Sequence, residues 1–245
     1  MRVAAAGDIH CREAQHEQVC AAFAQLRGNA DLVLLAGDLT THGEPEQVTV
    51  LADACRDLDV PVFAVLGNHD WHANRVDELG PILADAGVTL LQRDWAICEI
   101  GGVEVGIVGV KGFVGGFPGS HLPDFGEPLL RAVYRETSAD VEALDAGLRE
   151  VAHCPVRCVV LHYAPIGDTL VGEQEGIWTF LGTDRLAAPI AQHEPDLVVH
   201  GHAHAGTFAG AIGSTPVHNV SVPVIGQDFW TFEIPCAARP TSPVH

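Results

Sequence analysis

Short apolar runs alternate with helical periodicity in the first part of the chain. The runs predict three strands and the periodic segments predict three helices: strands over 2–6, 32–36 and 62–66, and helices over 15–27, 45–57 and 75–86. Within a helical segment the apolar positions share one face, as Val48, Leu51 and Cys55 do in the second. This alternation is typical of βαβ units, in which the strands of one sheet run parallel.

The pattern changes near residue 88, where short β-like runs follow one another closely. Runs over 88–91, 95–100 and 103–110 predict a second, partly antiparallel sheet, with Gly101-Gly102 as a hairpin turn. The remainder predicts two helices, two buried strands and three terminal β-like runs: helices over 127–151 and 182–193, strands over 156–161 and 196–199, and runs over 206–212, 215–220 and 229–234.

The segment 112–126 has no period. It contains five glycines, two prolines and three phenylalanines, which predict a loop anchored by aromatic side chains. A chain of 245 residues is long enough to bury a full core in one domain. We therefore expect a single domain over 1–235, followed by a C-terminal tail over 236–245.

Composition excludes several classes of protein. Apolar residues make up 47% of the chain, and the longest apolar runs, such as 31–36, have the length of strands. No run approaches the ~20 residues of a membrane span, and residues 1–7 are too short and too weakly charged for a signal peptide. These features predict a soluble, cytoplasmic protein that does not span a membrane.

The formal net charge of −19 restricts the ligands that the surface can attract. Such a surface repels polyanions, which argues against broad binding of nucleic acid through its phosphates. Bound divalent cations would offset part of this charge locally.

Seven cysteines are scattered through the predicted strands and helices, and none forms a C-x-x-C pair. An odd number in a cytosolic setting predicts free thiols that pack as small apolar side chains.

Candidate chemistry lies at the ends of the apolar runs. Polar clusters follow five of them: Asp8-Ile9-His10, Gly37-Asp38, Gly67-Asn68-His69-Asp70, His162 and Gly201-His202-Ala203-His204. Taken singly, each has a simpler explanation, because an aspartate after a strand is often a helix cap and a lone histidine is often a core residue. Ligands of open α/β sheets bind beyond the carboxyl ends of the strands, so the clusters are expected to converge. Mixed imidazole and carboxylate ligands suit Mn, Fe, Zn, Co or Ni better than Ca.

In this order, the five clusters closely resemble the motifs of the calcineurin-like metallophosphoesterase superfamily, D-x-H, G-D, G-N-H-[DE], H and G-H-x-H. The motifs are complete and span residues 8–204. The resemblance implies an α/β fold, a four-layer α/β/β/α sandwich of two mixed sheets flanked by helices. It also implies two divalent or trivalent transition-metal ions as cofactors.

The resemblance divides the predicted ligands between two ions that share Asp38. One ion takes Asp8, His10, Asp38 and His204, and the other takes Asp38, Asn68, His162 and His202. Two cations ~3.5–4 Å apart clamp the phosphoryl oxygens and lower the pKa of a bridging water, so that hydroxide forms at neutral pH.

The same resemblance identifies His69 as the catalytic histidine, a general acid for the leaving group, and Asp70 as the carboxylate that orients its ring.

The predicted reaction is the hydrolysis of phosphate esters of small molecules, as a phosphodiesterase or phosphatase. The second and third motifs resemble the cyclic-nucleotide-phosphodiesterase-like branch. The fourth, Leu161-His162-Tyr163, lacks a second adjacent histidine and is closer to uncharacterised bacterial branches. Asn68, Lys111 and Arg12 are the predicted substrate contacts, with 112–126 as a possible cap. The same loop could instead cover an apolar edge or form a contact between subunits of a homo-oligomer.

Two other functions remain open at this point. A catalytically silent metal-binding scaffold for a protein partner usually lacks part of the ligand set or the catalytic histidine, both of which this chain retains. A nuclease would share the chemistry, but the charge and the lack of a basic stripe count against it. Four further residues near the motifs are expected to be structural or exposed rather than ligands: Cys11, His42, His72 and His200.

Overall fold

A computed structural model describes residues 1–235 of the chain. The predicted C-terminal tail, 236–245, lies outside the described residues.

The described residues form thirteen strands. Their bounds in chain order are β1 (Arg2–Ala6), β2 (Leu32–Ala36), β3 (Val62–Val65), β4 (Val88–Leu90), β5 (Asp94–Ile100), β6 (Val103–Gly109), β7 (Gly116–Phe117), β8 (Ser120–His121), β9 (Val156–Val160), β10 (Leu197–His200), β11 (Ala209–Ile212), β12 (Thr215–Asn219) and β13 (Trp230–Glu233).

Seven α-helices lie between these strands. Their bounds are α1 (His16–Ala24), α2 (Pro45–Cys55), α3 (Val76–Asp85), α4 (Pro128–Glu150), α5 (Trp178–Leu181), α6 (Ala187–His193) and α7 (Val222–Ile225). Short 3-10 turns cover Glu13–Gln15, His69–Trp71, Asp168–Leu170, Glu175–Ile177 and Asp184–Leu186. Both α2 and α4 begin with proline, whose fixed φ suits the first helical position and whose missing N–H costs nothing there.

The first sheet has five strands in the spatial order β13-β1-β2-β3-β4. Four of them run parallel, and β13 returns antiparallel to β1. The prediction that the run at 88–91 belongs to the second sheet is wrong, because β4 pairs with β3 and places Val88 beside Val62. After α3 the chain crosses over once more and adds β4 to the same sheet. With only three residues, β4 is too short for its sequence to indicate which sheet it joins.

The second sheet has six strands in the order β11-β12-β10-β9-β6-β5. Its centre is parallel, whereas β5–β6 and β11–β12 are antiparallel pairs. The predicted hairpin between β5 and β6 is confirmed, with Gly101 and Gly102 in the left-handed region at φ 59° and 81°. Glycine adopts these angles without a steric penalty.

Apolar side chains bury themselves in three layers between the elements. One cluster lies between α1–α3 and the first sheet, one lies between the two sheets, and one lies between the second sheet and the pair α4 and α6. Leu34 of β2 and Ile107 of β6 both belong to the central layer, and both are fully buried. The predicted fold of two mixed sheets flanked by helices is therefore confirmed.

The segment 112–126 is more ordered than a loop without elements. It contains the small β7–β8 hairpin, which is held by a backbone hydrogen bond from Gly116 to Gly182 and by a contact between His121 and Asp184. The turns between Asp168 and Leu181, and helix α7, also lie where no helix was predicted. Elements of three or four residues show no period in the sequence, and here tertiary hydrogen bonds hold them.

Among the helices of residues 1–235, none combines the length and the apolar character that crossing a bilayer requires.

Candidate metal centre

The two sheets bring five strand ends to one edge of the molecule. Asp8 follows β1, Asp38 follows β2 and Asn68 follows β3. His162 and His202 follow β9 and β10 of the second sheet. The facing sheets therefore place the predicted ligands opposite one another, at the edge where α/β sheets bind ligands.

Four predicted ligands have left-handed backbone angles. The φ angles are 58° at Asp8, 50° at His10, 49° at Asp38 and 71° at His202. Residues other than glycine adopt this region infrequently, and each such residue costs on the order of 1–3 kcal/mol. This strain turns each side chain out of the strand direction and into the site.

Two glycines allow the loops to come together. A Cβ at Gly67 would lie 2.1 Å from Asp38 Oδ1, and a Cβ at Gly37, where φ is +82°, would lie 2.5 Å from His162 Nδ1. Neither position tolerates a side chain, so the backbone closes directly around the ligands.

One group of possible ligands consists of Asp8, His10 and His204, whose ligand atoms lie within 4.8 Å of one another. Asp8 Oδ1 lies 2.8 Å from His204 Nε2, and Asp8 Oδ2 accepts a hydrogen bond from the His202 amide at 2.9 Å. Burial alone would raise the pKa of Asp8, but the His204 contact and the neighbouring histidines hold it below its ordinary value. Asp8 is thus an anionic carboxylate, the form that binds a cation.

A second group consists of Asp38, His162 and His202. His162 Nδ1 lies 2.9 Å from the carbonyl oxygen of Ala36 and donates its proton there, which leaves a lone pair on Nε2. That Nε2 faces Asn68 Oδ1 at 2.9 Å and Asp38 Oδ1 at 3.4 Å. Lone pairs of three atoms, His162 Nε2, Asn68 Oδ1 and Asp38 Oδ1, therefore point into the same space, an arrangement that a bound cation would stabilise.

Asp38 lies between the two groups and is almost fully buried. Its Oδ1 faces His162, whereas its Oδ2 lies 3.8 Å from His10 Nε2 and 4.0 Å from His69 Nε2. Burial raises the pKa of this carboxyl group, so that an added positive charge would stabilise its ionised form. This is the position expected of a carboxylate shared by two ions.

Two of the candidate histidine ligands are held in the neutral state that metals require, whereas the contact with Asp8 raises the pKa of His204. Burial lowers the pKa of His202 to about 3 and also lowers the pKa of His10, which keeps both imidazoles neutral. His202 Nε2 lies 3.2 Å from the Phe180 carbonyl oxygen, which fixes its ring. His10 Nδ1 is buried and has no hydrogen-bond partner within residues 1–235. The neutral ring nitrogens of His10 and His202 are therefore suitable ligands for transition-metal ions.

His69 lies beside the predicted ligands. Its ring centroid is 4.6 Å from that of His10, and its side chain is 33% exposed, so a substrate can reach it. Its Nδ1 lies 2.8 Å from the Thr41 carbonyl oxygen and donates to it, which turns Nε2 towards the site.

The prediction that Asp70 orients the His69 ring is wrong. The Asp70 carboxylate is fully buried and accepts four hydrogen bonds from the loops around it: from the amides of Leu39, Thr40 and Gly67 and from Thr40 Oγ1. The Thr41 carbonyl oxygen takes the ring contact instead, because the 3-10 turn at His69–Trp71 directs the two side chains apart. Asp70 therefore holds together the loops that carry Asp38 and Asn68.

We expect Asp70→Asn to lower the free energy of unfolding by about 2–4 kcal/mol, because buried donors lose a charged acceptor. Chemical denaturation measures this loss. The exposed Asp59→Asn is the matched control and should change nothing. If Asp70→Asn left the free energy of unfolding unchanged but shifted the pH profile of activity, the result would instead support the predicted role of Asp70 in orienting the His69 ring.

The two predicted basic contacts lie on different sides of the centre. Arg12 is exposed, and its Nε donates to Thr41 Oγ1 at 3.1 Å, next to the loop that holds His69. Lys111 is partly buried, with Nζ 4.2 Å from the centroid of the Phe113 ring. Whether either touches a substrate, and whether 112–126 caps the site, stay predictions.

The four residues expected not to be ligands lie as follows. Cys11 is fully buried in the core, and burial raises the pKa of its thiol to about 12. His200 is buried with both ring nitrogens in contact, with the Gly201 carbonyl oxygen and Thr169 Oγ1, and burial lowers its pKa to about 4. His42 and His72 are exposed, although the His72 ring centroid lies 4.6 Å from that of His69.

Sequence reasoning missed the residues that surround the centre beyond its motifs. Trp71 and Tyr163 line the cavity beside Asn68, and Arg93 lies behind them with Asp140. Tyr163 could have been found from its place next to His162. Arg93 and Asp140 are 47 residues apart, and nothing in the sequence pairs them.

A match to a protein family decides the class of this molecule. The family model described as calcineurin-like phosphoesterase matches residues 1–206. The chain belongs to the calcineurin-like phosphoesterase family. As a phosphoesterase of this family it is a phosphoester hydrolase, and the family uses divalent metal ions. The predicted superfamily and enzyme class are confirmed.

Solved structures share the fold of this phosphoesterase. A phosphopantetheinyl hydrolase from Mycobacterium tuberculosis is 18% identical, with 91% of this chain and 89% of that chain covered and a TM-score of 0.64. Protein TT1561 of Thermus thermophilus is 16% identical, with 94% and 97% covered and a TM-score of 0.61. A phosphatase from Mycoplasma pneumoniae is 15% identical, with 91% and 72% covered and a TM-score of 0.53. At these identities the likeness shows the fold alone.

A search of curated protein sequences found no match to this phosphoesterase.

Proposed function

We propose that this phosphoesterase hydrolyses phosphate esters of small molecules with two transition-metal ions that share Asp38. The observation that carries the proposal is the position of Asp38, with one ligand group on each side and His69 beside it. Asp8, His10 and His204 would hold one ion, and Asn68, His162 and His202 would hold the other. When bound, such ions polarise a phosphoryl group and lower the pKa of water.

The protein's own side chains supply the remaining steps. Asp38 carries the negative charge between the two ligand groups, and His69 Nε2, 4.0 Å from Asp38 Oδ2, is placed to give a proton to the leaving oxygen. The Thr41 carbonyl oxygen keeps the other ring proton on Nδ1. Such general acid assistance is typically worth about 10²–10⁴-fold in rate.

Charge and cavity size favour small esters over polymers. The net charge of −19 repels a nucleic acid, and the open space beside Asn68 is about 290 Å³. We therefore propose a small-molecule phosphatase or phosphodiesterase rather than a nuclease. The retained His69 supports catalysis over a silent scaffold.

A hydrolysis panel tests the proposed function. Metal-free protein should gain turnover on at least one ester when Mn, Fe, Co, Ni, Zn or Mg is added, and should bind about two ions per chain. The panel contains a 4-nitrophenyl monoester, a bis(4-nitrophenyl) diester, cyclic nucleotides and a phosphopantetheinyl ester, the last because of the fold shared with a phosphopantetheinyl hydrolase. No turnover with any metal, together with binding of a protein partner, would favour the scaffold. Cleavage of single-stranded DNA or RNA alone would favour the nuclease.

A further inference from the structure

A cavity opens directly beside Asn68. Its open volume is about 290 Å³, and its walls are Asn68, Trp71, Lys111, Phe113, Glu136 and Tyr163. Because Asn68 belongs to the proposed metal centre, a phosphate bound there would extend its alcohol group into this cavity.

Aromatic rings form much of the wall. Phe113 and Tyr163 meet edge to face with centroids 5.8 Å apart, and Trp71, at the mouth, is 45% exposed. Lys111 lies against both rings, 4.2 and 5.0 Å from their centroids, and donates to the Gly112 carbonyl oxygen at 3.0 Å. The shape and surface suit a flat organic group better than a flexible polar one.

A second cavity of about 150 Å³ adjoins the first and shares Trp71, Lys111 and Glu136 with it. Its wall includes Asp140, which is only 1% exposed. Asp140 Oδ1 accepts a hydrogen bond from Arg93 Nε at 2.6 Å, while Arg93 also pairs with the Glu136 carboxylate. Asp140 Oδ2 is buried and has no hydrogen-bond partner in the described part of the chain.

Asp140 lines the cavity and one of its two carboxylate oxygens is unpaired, so this residue calls for a further hydrogen-bond donor. Buried polar atoms are nearly always paired, and one left unpaired is costly. Arg93 and Lys111 lie nearby and disfavour a cation, so a neutral N–H or O–H group is the donor that fits. The carboxylates of Glu136 and Asp140 are equally unsuited to the phosphate, which belongs at the proposed metal centre.

We propose that the two cavities bind the alcohol part of the ester and select a flat alcohol with a neutral hydrogen-bond donor for Asp140 Oδ2. Asp140 is then a specificity-determining residue of the reaction. The inference rests on the proposed function, since a phosphate at the metal centre would bring the alcohol part of the ester to Asn68.

Matched esters test the selection on the unmodified, metal-loaded protein. Aminophenyl and methylphenyl phosphates, substituted at the meta and para positions, are alike in size and differ in the donor. We expect kcat/KM to favour at least one amino ester by about 10–100-fold, the range for a hydrogen bond to a charged group. Equal kcat/KM at both positions would overturn the proposal.

The variant Asp140→Asn locates the effect, with Glu142→Gln, an exposed residue of the same helix, as the matched control. Asp140→Asn should bring the amino preference to within about 3-fold of unity, because the charged acceptor is lost, while Glu142→Gln keeps the preference of the unmodified protein. An equal loss on all esters would make Asp140 a structural partner of Arg93 only, contrary to the proposal.

Binding of the free alcohols separates this inference from the proposed function. In metal-free protein, 3-aminophenol should shift the NMR signal of the Trp71 indole at lower concentration than 3-methylphenol, with Trp71→Phe assigning the signal. Selective binding without hydrolysis of any ester would reject the proposed function and keep the cavity's preference. Hydrolysis of an ester without selective binding of the free alcohols would support the proposed function and reject the preference of the cavity.

Discussion

Replacing His69 with alanine should lower kcat by about 10²–10⁴-fold while the protein keeps its metal ions. We propose the ring as a proton donor, because the Thr41 carbonyl oxygen holds Nδ1 at 2.8 Å and Nε2 faces Asp38 from 4.0 Å. It is not among the proposed ligands, so its loss should leave metal content unchanged. Steady-state kinetics and elemental analysis of the dialysed protein measure the two quantities.

The leaving group distinguishes a proton donor from a residue that only shapes the site. 4-Nitrophenol leaves readily without a proton, so His69→Ala should slow 4-nitrophenyl phosphate less than phenyl phosphate. The control is His153→Ala, which removes an exposed histidine outside the centre and should change neither rate. Full activity of His69→Ala, or an equal loss on both esters, would contradict the acid role.

Replacing Asp38 with asparagine should remove metal binding together with activity. The two carboxylate oxygens of Asp38 face the two ligand groups. In asparagine one of these oxygens becomes an NH₂ group without a lone pair for a metal, and the negative charge is lost. Changing a residue that merely supports a ligand typically costs 10–100-fold, so loss of a shared ligand should lower kcat/KM by more than about 100-fold.

The substitution is conservative in shape. Asparagine tolerates the left-handed φ of 49° at this position, and its side-chain oxygen can still accept from the His69 amide, which lies 2.8 Å from Asp38 Oδ1. Metal content should therefore fall without a large loss of stability, as thermal unfolding of the metal-free protein will show. The exposed Asp59→Asn should bind metal as the unmodified protein does. A full metal complement in Asp38→Asn would refute the shared-ligand assignment.

Much of the fold was predictable because its buried strands are short and strongly apolar. The predicted bounds of β1 and β2 coincide with those observed, at Arg2–Ala6 and Leu32–Ala36. The wrong sheet assigned to β4 shows the limit of this reasoning. A three-residue strand carries no information about its neighbour, and the packing of α3 against α2 and β4 determines that neighbour instead.

The candidate site was predictable to a different degree. The motifs indicated which residues meet, because strands of one sheet present their carboxyl ends at one edge. The distances between these residues and the orientations of their side chains depend on how the two sheets pack against each other, as in the contact between His162 Nε2 and Asp38 Oδ1. The role of Asp70 was assigned from the family resemblance, yet its carboxylate accepts hydrogen bonds from the amides of Leu39 and Thr40.

The sequence by itself determined the order of the longer strands and helices, the family, and the residue types at the strand ends that carry the motifs. These depend on local periodicity and on short motifs, which the chain carries without reference to its fold. Tertiary structure alone decided what surrounds the motifs: the pairing of Arg93 with Asp140, the position of Lys111 against Phe113 and the cavity beside Asn68. Side chains far apart in sequence meet there only because α4 crosses the second sheet, and such distant contacts leave no pattern in a single sequence.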